Sequence, residues 1–136
     1  MQIRQLKEMA RFLPALEKSD FKAGEWVSSK EIEPSAFTMP YVDYDEITKE
    51  FVKSAYDHNW VQMDFDWPQW FQSREALMLR DDEATLARAS AEQIAKLLTV
   101  IIRKDRFCEG ELLAAFESGL ILRIVRRVEA LLETEK

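Results

Sequence analysis

Apolar residues recur at helical spacing through most of this chain, most insistently near its middle. Ile94, Leu97, Leu98, Ile101 and Ile102 stand at i, i+3, i+4, i+7 and i+8. Thr99 and Val100 fill the opposite side, so the stretch from Leu97 to Ile102 has no strongly polar face. A helix that is apolar all round is buried all round. Ser90, with Gln93 three residues on, supplies a capping box at the start. The pattern predicts a helix over residues 90–106 on which the others pack. It stops at Arg103-Lys104-Asp105-Arg106, where cations of the last turn meet the negative end of the helix dipole.

The same periodicity marks the flanking elements. Ile3, Leu6, Met9, Phe12, Leu13 and Leu16 form a stripe over residues 2–18, which Pro14 should kink or split. Residues 19–42 are irregular, punctuated by Gly24, Pro34 and Pro40, with Glu25-Trp26-Val27 as a short extended piece. Asp43, with Glu46 three on, reads as the N-cap of a helix carrying Ile47, Phe51, Ala55 and Tyr56 inward and ending at His58-Asn59. Trp67, Trp70 and Phe71 open a helix over 68–79, with Pro68 in its first turn and Asp66 before it. Asp81-Asp82-Glu83 begins a short turn carrying Leu86. After the central helix, a short helix with Leu112, Ala115 and Phe116 inward ends at Gly119 as a left-handed cap. Leu120, Ile121, Ile124, Val125, Val128, Leu131 and Leu132 mark a last amphipathic helix. No strand pairing stands out. The expected fold is mainly α: one bundle of five or six helices around the central one, with a long irregular loop over 19–42.

Composition narrows the class. At 136 residues, 47% hydrophobic and 32% charged, the chain suits one soluble domain over residues 1–136. The pattern leaves open whether helix 2–18 and loop 19–42 are peripheral to it. A single cysteine permits no internal disulfide and fits a cytoplasmic setting. No apolar run approaches a membrane span, and Glu8 and Glu17 oppose an anionic membrane surface, so no membrane partner is expected. Net charge is −6, with 11 Lys/Arg against 18 Asp/Glu in residues 1–95 but 7 against 4 in residues 96–128. The acidic total argues against general nucleic-acid binding, while the basic C-terminal third keeps a local contact open.

Several short patterns together resemble a known family. They are Gly24-Glu25-Trp26, Met39-Pro40-Tyr41, Phe65-Asp66-Trp67 with Trp70, and Leu98-Thr99 leading to Arg103-x-Asp105-Arg106-Phe107-x-Glu109-Gly110, continued by Gly119 and Arg126. Over residues 20–132 the chain is similar to a bacterial and phage-associated family of small proteins known only as a domain of unknown function. The resemblance implies a bacterial, cytoplasmic protein and brings no catalytic residues with it.

Three functions compete. The first is a helical interaction module without catalytic activity, binding a protein or a small anionic ligand, or a second copy of itself. Its candidate residues are Arg103, Arg106, Phe107 and Glu109 at the corner after the central helix, and Trp67 and Trp70. Arginine suits bidentate carboxylate or phosphate contacts, and Gly110 allows close approach of backbone. Against this, Arg106 could pair internally with Asp66 or Glu109. Leu122, off the apolar face of the last helix, hints at an interface. The second is DNA binding through a helix-turn-helix pair over residues 111–130, with Arg123, Arg126 and Arg127 toward phosphates. Ser118 stands where that motif expects an apolar residue, and Ile121 and Leu122 where base-reading side chains belong. The third is a Mg²⁺-dependent helical nucleotide hydrolase using Asp43, Asp45, Glu46 and Glu50, although Lys49 and Lys53 interrupt that cluster. One His and one Cys support neither a metal site nor a firm Cys108–His58 pair. The chain points away from an enzyme, and no cofactor or metal is expected.

Overall fold

The computed structural model describes residues 1–28 and 40–135. Residues 29–39, with the Pro34 turn and Met39, lie outside them. The order of elements is α1 (Ile3–Ala10), α2 (Leu13–Leu16), β1 (Gly24–Val27), β2 (Tyr41–Tyr44), α3 (Glu46–Asp57), α4 (Trp67–Phe71), α5 (Arg74–Asp81), α6 (Glu83–Leu86), α7 (Ala91–Asp105), α8 (Glu111–Glu117) and α9 (Leu120–Glu135). The fold is mainly α. Among the described residues six helices have seven residues or more, and α2, α4 and α6 are single turns.

α7 behaves as its pattern requires. Ser90 accepts from the Gln93 amide and the Gln93 side chain returns to the Ser90 amide, completing the capping box. Every residue from Leu97 to Ile102 is buried. Thr99 is the one polar side chain in that run. Its hydroxyl donates to the Ala95 carbonyl at 2.7 Å and accepts from the Gln62 amide at 2.9 Å, tying the chain after α3 to the centre of α7. α9 shares the central place. It lies against α1, α2, α6, α7 and α8, and Ile121, Ile124, Val125 and Val128 are wholly buried. The N-terminal helix is not peripheral: Leu6 and Met9 on α1 are buried along α9. Trp60, also fully buried, donates its indole N–H to the Gln5 carbonyl at 3.1 Å, while the Gln5 amide donates to the His58 carbonyl at 2.8 Å.

Several boundaries differ from the sequence expectation, each for a local reason. Residues 2–18 split, with Pro14 in the first turn of α2, where its missing N–H costs nothing. The helix expected over 68–79 breaks because the Ser73 hydroxyl accepts from Ala76 and starts α5 afresh. Asp45, not Asp43, caps α3 through the Ile47 amide. Asp43 belongs instead to β2, which pairs antiparallel with β1 in the register Gly24↔Tyr44 and Trp26↔Val42. This two-stranded hairpin replaces part of the expected irregular loop. It escaped notice because a period of two cannot be established over four residues. The left-handed positions fall as expected at Asn59 and Gly119.

Candidate functional site

A helix turns about 100° per residue, so four consecutive charged residues at its end must point four ways. Arg103 reaches toward Met63, with Nη1 3.5 Å from Sδ. Lys104 lies over the Phe71 ring at 4.6 Å and 3.5 Å from Glu111. Asp105 faces the hairpin. Arg106 borders a groove beside α3. The corner thus has an inner side, turned to the hairpin, and an outer side, turned to solvent.

The inner side is a dock. Asp105 Oδ1 accepts from the Tyr44 hydroxyl at 3.0 Å, from the Leu112 amide at 3.0 Å and from the Gly110 amide at 3.2 Å. Gly110 precedes α8 and has no side chain to cap it, so the last residue of α7 caps the next helix. Glu109 accepts from the Val42 amide at 2.8 Å, and so binds the edge of β2. Gly110 is required twice over. Its φ is +98°, and a Cβ there would stand 2.4 Å from Trp26 Cζ2. Burial, and then the negative charge and hydrogen bond of Asp105, hold the Tyr44 hydroxyl well above the usual phenol range in pKa.

The outer side is built differently. Phe107 is 75% exposed, and its ring stacks on Trp67 with centroids 6.5 Å apart and planes at 29°. Met63 is 63% exposed beside Arg103. The Nε of Arg103 is buried and meets no acceptor among the described residues. Thioether sulfur is a weak acceptor, so this guanidinium is poorly satisfied.

The candidate residues therefore separate. Phe107, Trp67 and Arg103 share the outer side. Glu109 is spent on the hairpin. Arg106 pairs with neither Asp66, which caps α4, nor Glu109. Trp70 packs against the main core: its indole N–H donates to Glu75 at 2.8 Å and its ring lies on Phe65 at 5.7 Å. Tyr44 and Met63 were missed. Only the hairpin brings Tyr44 to Asp105, and an isolated methionine carries no pattern.

The competing sites lose their geometry. α9, the would-be recognition helix, is wedged among five other helices. Its arginines are engaged: Arg126 with Glu17 at 3.2 Å, Arg127 with the Ala89 carbonyl at 2.8 Å, and Arg123 with Glu83 at 3.8 Å. Leu122, partly buried, packs against the core. Asp43 sits on the hairpin, Asp45 caps α3, and Glu46 pairs with Lys49. No group of three or more metal-ligating side chains forms among the described residues. His58 lies 3.7 Å from Glu8, whereas Cys108 is exposed at the corner. No described helix is long and apolar enough to cross a membrane. A cleft of about 450 Å³ lies between α5, α7 and α8; of its three cations Arg80 pairs with Asp81 and Lys104 with Glu111, while Arg123 lies 3.8 Å from Glu83 and has a buried Nε that meets no acceptor among the described residues.

Fold and corner together define a small, mainly α-helical protein with a clamped hairpin and an exposed aromatic and arginine surface. The chain belongs to DUF6508, a family of unknown function, which it matches over residues 1–134. No curated protein and no solved structure matches it significantly.

Proposed function

We propose that this protein is a non-catalytic interaction module of the bacterial cytoplasm, and that it binds a protein partner through the outer side of the α7–α8 corner. One observation carries the reading: Phe107 is largely exposed yet held in a stack on Trp67, above a backbone locked by Asp105 and Glu109. Exposing so large an aromatic gains nothing for folding, whereas aromatic, methionine and arginine side chains are the types enriched at interface hot spots. A rigid anchor also loses little entropy on binding. The partner supplies an apolar pocket for Phe107 and a carboxylate for the Arg103 Nη groups, whose described contact is with the weak acceptor Met63 Sδ.

A photo-crosslinking residue at position 107, with a control at the exposed Glu117, tests this in cells that produce the protein. A single partner captured from 107 and not from 117 is expected. The purified partner should bind wild type and lose at least tenfold in affinity with Phe107→Ala. Equal labelling from both positions, or binding unchanged by the substitution, overturns the reading. Capture of a second copy of this chain would make the partner itself, and sedimentation should then show a dimer lost in Phe107→Ala.

A further inference from the structure

Arg106 stands apart from the outer surface. It borders a groove of about 290 Å³ between α3 and the hairpin side of α7. The floor is apolar: Ile102 and Leu112 are almost closed to solvent, and Val52 continues it from α3. Tyr56 forms one wall. Lys49 and Arg106 stand at the rim as the two cations of the lining. The acids offer them no strong competition. Asp105, the one carboxylate of the lining, already accepts three hydrogen bonds on a single oxygen. Lys49 reaches Glu46 at 3.2 Å in a pair that is exposed on both sides, and such pairs are held weakly. The Arg106 guanidinium has no hydrogen-bond or ion-pair partner among the described residues, although its backbone N–H donates to the Arg103 carbonyl.

An apolar floor with a few convergent polar groups is the usual form of a small-molecule site. The volume lies just below the range of about 300–1,000 Å³ that such sites span, which excludes nucleotide-sized ligands. The excess positive charge at the rim calls for an anion, and a guanidinium matches a carboxylate in two parallel hydrogen bonds. We propose that this groove binds a small monocarboxylate whose body is one aromatic ring or one branched alkyl chain. The carboxylate meets Arg106 and Lys49, and the body lies on Val52, Ile102 and Leu112 beside Tyr56. The site shares no residue with the protein-binding surface proposed above, so either can fail without the other.

The test is a titration of the full-length ¹⁵N-labelled protein, followed by amide shifts. The probes are phenylacetate, 4-methylpentanoate, the neutral phenylacetamide and inorganic phosphate. At least one of the two carboxylates is expected to shift the amides of Val52, Tyr56, Arg106 and Leu112. Phenylacetamide and phosphate should each bind at least tenfold more weakly than that carboxylate. Arg106→Gln, an exposed change that leaves the core alone, should weaken carboxylate binding at least tenfold, as should Val52→Trp, which fills the groove. Three results overturn the proposal: neither carboxylate shifting these amides by about 10 mM, the weak end of specific binding; phosphate or phenylacetamide binding as tightly as the carboxylate; or Arg106→Gln leaving the affinity unchanged.

Discussion

The inner and outer sides of the α7–α8 corner are made from alternate residues of one short segment, and they spend their chemistry in opposite ways. Asp105, Glu109 and Gly110 face inward, and each is committed to a neighbour within the chain: Asp105 to Tyr44 and the start of α8, Glu109 to Val42, Gly110 to the Trp26 ring. Arg103 and Phe107 face outward, one with a buried Nε that meets no acceptor and one with three quarters of its surface in solvent. The presence of charge does not separate the two sides, since both contain ionised groups. Satisfaction does. A polar group whose partners lie within the fold contributes to stability, and one that is left exposed with a weak partner, as the Arg103 Nη groups are with Met63, can be taken up by something else.

That contrast can be broken at its strongest point first. Asp105→Ala removes an acceptor shared by three donors, uncaps α8 and leaves the Tyr44 O–H without its acceptor. A hydrogen bond to a charged group contributes about 1.5–3 kcal/mol, and the three are not additive, so a loss of about 3 kcal/mol is expected. Urea denaturation should report it as a lower midpoint with little change in slope. Asp105→Asn, which keeps an acceptor, should lose clearly less.

Gly110→Ala comes next, at about 1–2 kcal/mol. It combines a side chain at positive φ with a Cβ that has to displace the Trp26 ring. The same change should shift the protein's fluorescence to the red as Trp26 lifts into water, and in a Trp26→Phe background that shift should vanish. A shift of equal size in that background would mean that the dock is not where the strain is felt.

Tyr44→Phe is a milder change, about 1 kcal/mol at neutral pH, and it sharpens the comparison through pH. The folded-state pKa of Tyr44 is raised above its unfolded value of about 10. The unfolded chain therefore releases the phenol proton first as pH rises. The contribution of Tyr44 is fully present below about pH 10 and is lost progressively above it. The stability difference between wild type and Tyr44→Phe should be constant below about pH 10 and narrow steadily as pH rises above it. A difference that stayed constant there too would remove the Asp105–Tyr44 bond from the account.

The smallest effect on stability belongs to the outer side. Phe107→Ala removes an exposed ring whose one described ring contact is the Trp67 stack, so it should cost less than about 0.5 kcal/mol in a thermal melt. It is nevertheless the substitution expected to abolish partner binding. A cost above about 2 kcal/mol would place Phe107 with the inner residues and remove the distinction between the two sides.

Much of this arrangement was legible in the chain, and the reasons are local. The capping box at Ser90, the all-apolar run from Leu97 to Ile102, the split at Pro14 and the left-handed Asn59 and Gly119 all depend on residues within one or two turns of each other. Helical periodicity over fifteen residues carries a strong signal, and a two-stranded hairpin of four-residue strands carries almost none, so the sequence over β1 and β2 predicts only a loop with one extended piece. The corner was singled out for its arginines and its glycine. Which of its residues were free was not readable, because that depends on what the fold brings opposite them.

The chain by itself determined most of the helices, the capped start of α7 and its burial, since caps and apolar spacing act over a few residues. The tertiary structure alone decided that Asp105 would meet Tyr44 across 61 positions and Glu109 would meet Val42 across 67. Such pairs follow from how the hairpin packs on the end of α7, and no local pattern encodes that packing. The division of one corner into a dock and an exposed surface therefore came only with the fold.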